Sequence, residues 1–245
     1  MLIKLAIVTV PPVTMTAARV AIGALLGWFT WREVVVINVV PGIAMAVLIL
    51  VMLGAFAAQS GDANAINAAA SSDLDAADRV AAGNRAIREE VARQPDLQGM
   101  GTTLTLVELT PEGTARFGHV GDSRAYLFRG GELRQLTDDH TVAAEYVALG
   151  QLSVEEATGH PQSHMLTRCR GLTRFVNVDE FDLELEAGDR LLLCSDGLNL
   201  MVAPDGIVEN LSGGTADEAA WKLVEVANKA GGHDNTSVIV IDVLT

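Results

Sequence analysis

The stretch TLTLVELTPEGTARFGHVGDSRAYLFRGGELRQLT, residues 103–137, decides the fold class. Its opening TLTLVEL alternates in side-chain polarity, as a strand with one buried face does. Residues 111–113 (Pro-Glu-Gly) then form a turn into a second strand over 115–122, and Gly130 and Gly131 separate a further pair of strands. The stretch therefore predicts two consecutive antiparallel hairpins.

The segments on either side add helices and further strands. Amphipathic or capped helical patterns cover residues 76–94, 141–160 and 216–230. Apolar strands are predicted over residues 175–185, 190–194 and 236–243. Because the helices cluster between runs of antiparallel strands, the pattern favours an α+β fold over a parallel doubly wound sheet.

Charge and cysteine content limit the classes of partner. The chain has 245 residues and a formal net charge of -14. Clustered Lys and Arg are what a nucleic-acid backbone requires, so no nucleic-acid partner is expected. An acidic domain suits divalent cations. Cys169 and Cys194 lie in segments that otherwise resemble core or near-core sequence and lack zinc-ligand spacing, and we interpret them as two reduced, buried thiols.

The first 60 residues differ from the rest of the chain. They contain three basic residues and one acidic residue, and residues 34–58 carry no charge at all. One interpretation is a transmembrane helix over 34–58, since about 20 apolar residues cross a bilayer. The other is a remodelled start of the domain, with a buried strand at 34–37, a turn at Pro41 and a core helix over 44–58. Residues 61–245 form the main domain in both cases.

Four short motifs carry the candidate chemistry. They are GMGTT at 99–103, GHVGDSRAY at 118–126, GDRLLLCSDGL at 188–198 and GGHDNTSVIV at 231–240. Asp122, Asp196 and Asp234 each adjoin an apolar strand, and strand ends are rigid points from which carboxylates can converge. Oxygen ligands without His or Cys indicate Mg²⁺ or Mn²⁺ rather than zinc. The residues alone therefore predict an acidic metal site in an α+β domain.

Taken together, the motifs resemble the PP2C-like (PPM) metal-dependent protein serine/threonine phosphatases of bacterial, particularly actinobacterial, type. LTDDHT at 136–141, GQLSVEEATGHP at 150–161 and LTRCRG at 166–171 resemble the same family in the same order. The resemblance covers roughly residues 62–245. It implies a four-layer α-β-β-α sandwich of two antiparallel β-sheets, with the metal ions in a channel between the sheets.

The resemblance also implies roles for individual residues. Asp196 and Asp234 would each hold one ion of a binuclear Mn²⁺ or Mg²⁺ centre, and Asp122 would lie near a third, weaker ion. The site-supporting residues would be Gly99, Gly101, Thr102, Ser123, Arg124, Gly197 and Asn235. A metal-bound hydroxide would attack phosphorus directly, so no side chain is assigned as the nucleophile. His140, His160 and His164 are candidates for acid–base assistance or for a structural role in a flap.

The N-terminal block departs from the family pattern. In that pattern it supplies a phosphate-binding Arg, a Glu-Asp pair and an Asp-Gly-x-Gly-Gly turn, whereas residues 38–42 here read NVVPG. Leu200 also replaces a further Asp. Three hypotheses remain open: an active enzyme completed by Arg19, Glu33 and Asn38, a pseudophosphatase that binds phosphoproteins or regulates a kinase, or a shifted reading frame over residues 1–60.

The expected partners follow from the resemblance. They are phosphorylated proteins, including Ser/Thr kinases and their substrates. The expected location is the cytoplasm or the inner face of the membrane, with residues 34–58 as the membrane contact in the transmembrane interpretation.

Overall fold

The first predicted hairpin lies in the middle of one antiparallel sheet, and the second lies at the edge of another. The structure, a computed structural model, describes residues 2–10, 35–39, 47–51, 76–94, 101–110, 112–158, 160–168 and 176–244. The strands are β1 (Leu2–Val10), β2 (Val35–Val39), β3 (Val47–Val51), β4 (Leu104–Leu109), β5 (Thr114–Val120), β6 (Arg124–Arg129), β7 (Glu132–Gln135), β8 (Asp179–Glu184), β9 (Arg190–Cys194) and β10 (Thr236–Leu244). The helices are α1 (Ala76–Arg93), α2 (Val142–Ala148), α3 (Val154–Thr158), α4 (Asp196–Asn199), α5 (Pro204–Leu211) and α6 (Ala216–Lys229).

Sheet A has the strand order β2-β1-β10-β9-β6-β7, and sheet B has the order β3-β4-β5-β8. Neighbouring strands in both sheets are antiparallel. Helix α1 packs on sheet B, whereas α6 packs on β1 and β10 of sheet A. The predicted four-layer α-β-β-α sandwich is therefore confirmed.

Strands β9 and β10 contribute to both hydrophobic cores at once. Successive side chains of a strand point to opposite faces of its sheet. On β9, Leu191 and Leu193 enter the core between the two sheets, whereas Leu192 and Cys194 enter the core between sheet A and its helices. Burial on both faces explains why these strands are continuous apolar runs rather than alternating sequences.

The apolar stretch 34–58 contains two strands rather than one helix. Strand β2 pairs with β1 in sheet A, and β3 pairs with β4 in sheet B, where Val47 lies opposite Leu109. Residues 47–51 are thus extended, and both interpretations that placed a helix over them are wrong there, because β-branched and aliphatic side chains suit the pleated sheet.

The other N-terminal predictions remain largely untested. Asn38 lies in β2 opposite Lys4 of β1. Arg19, Glu33 and Pro41 lie outside the described residues. None of the described helices has the length and apolarity needed to cross a bilayer. The reading-frame hypothesis for residues 1–60 stays a hypothesis.

Candidate active site

Three of the predicted aspartates lie at one edge of the sandwich. Asp196 lies two residues after the end of β9, and Asp234 lies two residues before the start of β10, the neighbouring antiparallel strand. Asp122 lies in the connection between β5 of sheet B and β6 of sheet A, and Arg124 of β6 pairs with Cys194 at the end of β9. The topology therefore brings the three carboxylates to one region where the two sheets meet.

Asp196 and Asp234 are close enough for their charges to interact. Burial raises the pKa of Asp196, the negative charge of Asp234 raises it further, and the hydrogen bond from the Gly197 N–H lowers it. Each carboxylate accepts the amide that follows it, at 2.8 Å from Gly197 N to Asp196 Oδ1 and 2.6 Å from Asn235 N to Asp234 Oδ1. Such local bonds hold the aspartates at fixed strand ends.

The loops that carry this pair are fastened to each other. Ser195 Oγ donates to the Asn235 carbonyl at 3.0 Å and accepts the Ser237 N–H at 3.0 Å. A Cβ atom on Gly197 would lie 2.4 Å from the Asn235 carbonyl oxygen, so this position requires glycine. Gly197 thus allows the two loops to approach each other, and the Asn235 carbonyl accepts a bond that joins them. Both residues are among those predicted to support the site.

Asp122 is surrounded by other acidic groups. Its pKa is raised to about 7, mainly by burial and in addition by the charges of Asp196 and Asp139, while Arg124 acts in the opposite direction. Arg124 binds Asp139 through two bonds of 2.8 Å and 2.7 Å. Its guanidinium is therefore a partner of Asp139. Asp139 was not among the predicted site residues, although it lies in the LTDDHT motif.

Arg124 also begins a polar chain that ends at helix α4. Its Nη1 donates to Tyr126 Oη at 3.1 Å, and Tyr126 donates to Asn199 Oδ1 at 3.0 Å. Asn199 belongs to α4, whose first residue is Asp196. The chain links the Asp139 side of the site to the Asp196 side.

The Gly121 turn before Asp122 is tightly packed. Gly121 has φ +119°, and a Cβ there would lie 2.3 Å from Thr103 side-chain atoms. Thr103 Oγ1 also lies 2.9 Å from Ser123 Oγ, and both side chains are buried. Thr102 is buried beside this contact. Ser123 therefore packs against Thr103 within the turn, and its predicted role in supporting the site stays a prediction.

The remaining predicted residues occupy varied positions. Gly101 is half-buried, whereas Gly99 and Cys169 lie outside the described residues. Cys194 is fully buried, and burial raises its pKa to about 12, which is consistent with an inert thiol. Leu200, in place of the family's Asp, is 42% exposed at the end of α4.

The three histidines have different surroundings. His140 is buried and hydrogen-bonded to Gly121 and Asp179. His160 packs edge-on against Tyr146. His164 is exposed and lies near enough to Asp196 to contribute to lowering the pKa of that carboxyl, so it lies on the side of residues 141–167 that faces the acidic residues. The structure thus gives His140 a structural position and leaves His164 near the site.

The acidic residues suit hard cations, although they do not form a complete ligand shell. Within the described ranges, no group of three or more His, Cys, Asp or Glu side chains is arranged to hold one metal ion. Mg²⁺ commonly binds through one or two carboxylates and retains several waters. The mutual repulsion of Asp122, Asp139 and Asp196 is what a bound dication would relieve, and Asn235 Oδ1 is buried without a hydrogen-bond partner. The assignment of Asp122, Asp196 and Asp234 as metal ligands therefore remains a prediction. The carboxylate and amide oxygens of the site are of the type that Mg²⁺ and Mn²⁺ bind.

Comparison with known proteins finds that the chain is similar to several phosphatases. The family model described as Protein phosphatase 2C matches residues 44–223. The chain is 45% identical over 172 residues to the serine/threonine protein phosphatase PstP of Mycobacterium tuberculosis. These residues are 70% of this chain and 32% of that protein. It is 40% identical over 148 residues to the serine/threonine phosphatase stp of Listeria monocytogenes, covering 60% of this chain and 58% of that one. The match thus spans about a third to three fifths of the length of these relatives.

Solved structures resemble the whole chain. The crystal structure of the M. tuberculosis serine/threonine phosphatase PstP/Ppp has a TM-score of 0.80 and 31% identity, with full coverage of both chains. The phosphatase MsPP from Mycobacterium smegmatis, in complex with cacodylate, has a TM-score of 0.78, 32% identity and 98% coverage of both chains. A PstP catalytic domain in complex with two manganese ions has a TM-score of 0.76, 32% identity and full coverage of both chains.

Proposed function

This chain belongs to the protein phosphatase 2C family, and from that premise we propose that it dephosphorylates phosphoserine and phosphothreonine in proteins with the help of bound divalent cations. The observation that carries the proposal is the group of interacting carboxylates at the junction of the two sheets. Asp122 and Asp196 both have raised pKa values, in part because neighbouring carboxylates repel one another. Repulsion of this kind is common where a site is built for cations or for catalysis.

Asp196 and Asp234 would hold the cations, with Asp122 at a further, weaker position. Bound divalent cations would lower the pKa of water and offset the charge of the phosphate. The similar PstP catalytic domain in complex with two manganese ions supports the binding of divalent cations, whereas the choice of ligand residues belongs to the proposal. The choice between Mn²⁺ and Mg²⁺, and the presence of two or three sites, belong to the proposal.

The protein's own residues would keep this arrangement rigid and specific. The Ser195 bonds to Asn235 and Ser237 hold the two loops together, so that the two carboxylates stay side by side. Preorganised groups of this kind cost no rearrangement during the reaction. The net charge of -14 repels a phosphorylated substrate, which makes substrate binding depend on the cations.

The substrates and partners are proposed by analogy with the relatives. Phosphorylated substrates of Ser/Thr kinases, and the kinases themselves, are the class that serine/threonine phosphatases act on. A peptide containing phosphothreonine and an autophosphorylated Ser/Thr kinase domain are suitable test substrates.

The test compares metal-dependent hydrolysis in the wild type and in matched aspartate variants. We expect p-nitrophenyl phosphate and phosphothreonine peptide hydrolysis to require Mn²⁺ or Mg²⁺ and to stop with EDTA. Asp196→Asn and Asp234→Asn should each lower kcat/KM at least about 100-fold, since cation stabilisation is worth several kcal/mol. Asp205→Asn, an exposed aspartate on α5, serves as the control and should retain activity.

Two results would contradict the proposal. Cation binding without hydrolysis would favour the pseudophosphatase hypothesis, in which the chain recognises phosphoproteins without turnover. Hydrolysis that persists in EDTA, or that the Asp196 and Asp234 variants retain, would exclude the proposed cation sites.

A further inference from the structure

His140 is a buried side chain that connects sheet B to the turn before Asp122. It is 4% exposed and lies directly after Asp139. Its Nδ1 is 3.1 Å from the Gly121 amide nitrogen, and its Nε2 is 2.9 Å from Asp179 Oδ2 at the start of β8. Because a backbone amide only donates, Nδ1 accepts, and the ring proton on Nε2 is then donated to Asp179.

The backbone of His140 holds the same glycine a second time. Its N–H donates to the Gly121 carbonyl at 2.8 Å, and its own carbonyl accepts the Thr167 N–H at 2.9 Å. The amide and the carbonyl of Gly121 are thus both bonded to one residue. Gly121 takes part in a third hydrogen bond, because His119 Nε2 lies 3.1 Å from its carbonyl oxygen.

Asp179 is itself held in place. Arg168 Nη1 donates to Asp179 Oδ1 at 2.8 Å and lies 3.3 Å from His140 Nε2. A carboxylate that orients an imidazole fixes both its tautomer and its ring angle. The His140 ring is therefore oriented by Asp179 of β8, which Arg168 holds in turn.

We propose that His140 is a positioning residue that sets the Gly121 peptide and, through it, the direction of the Asp122 carboxylate. Gly121 has no side chain by which the core could hold it, and its φ of +119° is accessible mainly to glycine. Its orientation therefore depends on hydrogen bonds, and His140 makes two of them. The inference rests on the proposed function, in which Asp122 contributes to cation binding.

Two amide substitutions separate the two contacts of the ring. In His140→Asn the side-chain Oδ1 can replace Nδ1 as the acceptor for Gly121, whereas the contact with Asp179 is lost. In His140→Gln the Nε2 can replace the ring donor to Asp179, whereas the acceptor for Gly121 is lost. The proposal requires the Gly121 contact to be the one that affects cation binding.

The readout is Mn²⁺ affinity, measured directly by titration calorimetry and by the electron paramagnetic resonance signal of free Mn²⁺. His140→Gln should weaken the weakest detected Mn²⁺ site about tenfold or more, as losses of outer hydrogen-bond partners commonly do. His140→Asn should stay within about threefold of the wild type. The Mn²⁺ concentration for half-maximal p-nitrophenyl phosphate hydrolysis should shift in parallel, at an unchanged KM.

A double-mutant cycle tests whether the effect acts through Asp122. In an Asp122→Asn background, His140→Gln should produce almost no further loss of Mn²⁺ affinity, since both changes affect the same interaction. Leu211→Ala, a buried change far along the chain on α5, controls for general destabilisation and should leave Mn²⁺ affinity unchanged.

Different outcomes test the role of His140 and the proposed function separately. Equal Mn²⁺ affinity in the wild type and His140→Gln, or a full loss that persists in the Asp122→Asn background, would overturn the role of His140 alone. A wild-type protein that neither binds Mn²⁺ nor hydrolyses the phosphate ester would overturn the proposed function and this inference together.

Discussion

At the scale of single residues, His119 shows how burial near the site affects titration. Its side chain is fully buried, and Nε2 lies 3.1 Å from both the Gly121 and Asp138 carbonyl oxygens. Its pKa is lowered from 6.5 to about 4, mainly by burial and to a lesser extent by the neighbouring His140, against opposing effects that include Asp139 and Asp179. The folded protein therefore keeps this imidazole neutral under conditions where the unfolded chain protonates it.

The first prediction concerns the pH dependence of stability. Between pH 6.5 and about 4 the unfolded state binds a proton at His119 that the folded state does not, so stability should fall as the pH falls. The loss should reach about 3 kcal/mol across this window, at roughly 1.4 kcal/mol per pH unit. His119→Gln should reduce the slope of the unfolding free energy against pH, measured by urea denaturation.

A control separates this titration from a general loss of stability. Leu106→Val, also in the buried part of sheet B, should lower stability by a similar amount at every pH and leave the slope unchanged. The same slope in the wild type and His119→Gln would contradict the assigned burial effect.

Sequence motifs predicted some of the site residues and missed others for a physical reason. Asp122, Asp196 and Asp234 adjoin apolar strands, a feature visible along the chain. Asp139 binds Arg124, which lies 15 residues away in the sequence. Asp179 binds His140, which lies 39 residues away. Contacts over such separations depend on how the sheets pack, which local patterns do not encode.

At the scale of elements, the predicted helices and strands agreed best with the structure where the sequence pattern was long or was bounded by clear capping or turn residues. The predicted helix 76–94 corresponds to α1, and the predicted strand 190–194 corresponds to β9. Within the predicted helical region 141–160, Ser153 and Glu156 make the reciprocal bonds of a capping box at the start of α3. The region 141–160 was predicted as one helical segment, whereas the structure has two short helices separated at Gly150, which has φ +68°.

Helices α4 and α5 were not predicted. α4 has only four residues and begins in the SDG sequence, which also reads as a turn. α5 starts with Pro204, which is favourable at the first position of a helix but equally typical of a turn. Their helical conformation depends on packing against the core, where Leu198 and Ile207 are buried.

The second prediction concerns the buried ion pair that closes α5. Arg190 binds Asp242 at 2.5 Å and 3.0 Å and donates to the carbonyls of Leu211 and Gly214 near the helix end. Arg190→Gln should cost about 3–5 kcal/mol of unfolding free energy, because it leaves the mostly buried Asp242 carboxylate unpaired. Urea denaturation at pH 7 measures the loss.

An exposed ion pair provides the matched control. Arg116 lies 4.0 Å from Asp182 on the surface of sheet B, and Arg116→Gln should cost less than about 1 kcal/mol. Arg190→Met combined with Asp242→Leu should recover part of the loss. Equal losses of unfolding free energy in Arg190→Gln and Arg116→Gln would show that the mostly buried pair stabilises the fold no more than the exposed pair does.

At the scale of the whole molecule, sheet A joins the two hydrophobic cores. Leu191 and Ile239 face the core between the sheets, whereas Leu192 and Val238, their neighbours along β9 and β10, face the helices. Neither core can open fully without disturbing the same two strands. The candidate site lies at the ends of these strands, so its geometry depends on both cores remaining closed.

The last prediction tests this dependence through Phe117. It is buried on β5 and stacks on Phe181 of β8 with ring centroids 4.7 Å apart, in the core between the sheets. Phe117→Ala should lower the unfolding free energy by about 3–5 kcal/mol. If the shared strands make the molecule one cooperative unit, hydrogen exchange should show the same loss of protection in the most protected amides of β4, of β10 and of the distant helix α6. Leu211→Ala, in the other core, should produce the same uniform pattern. Loss of protection confined to sheet B in Phe117→Ala would mean that the two cores unfold separately, and that β9 and β10 do not transmit stability between them.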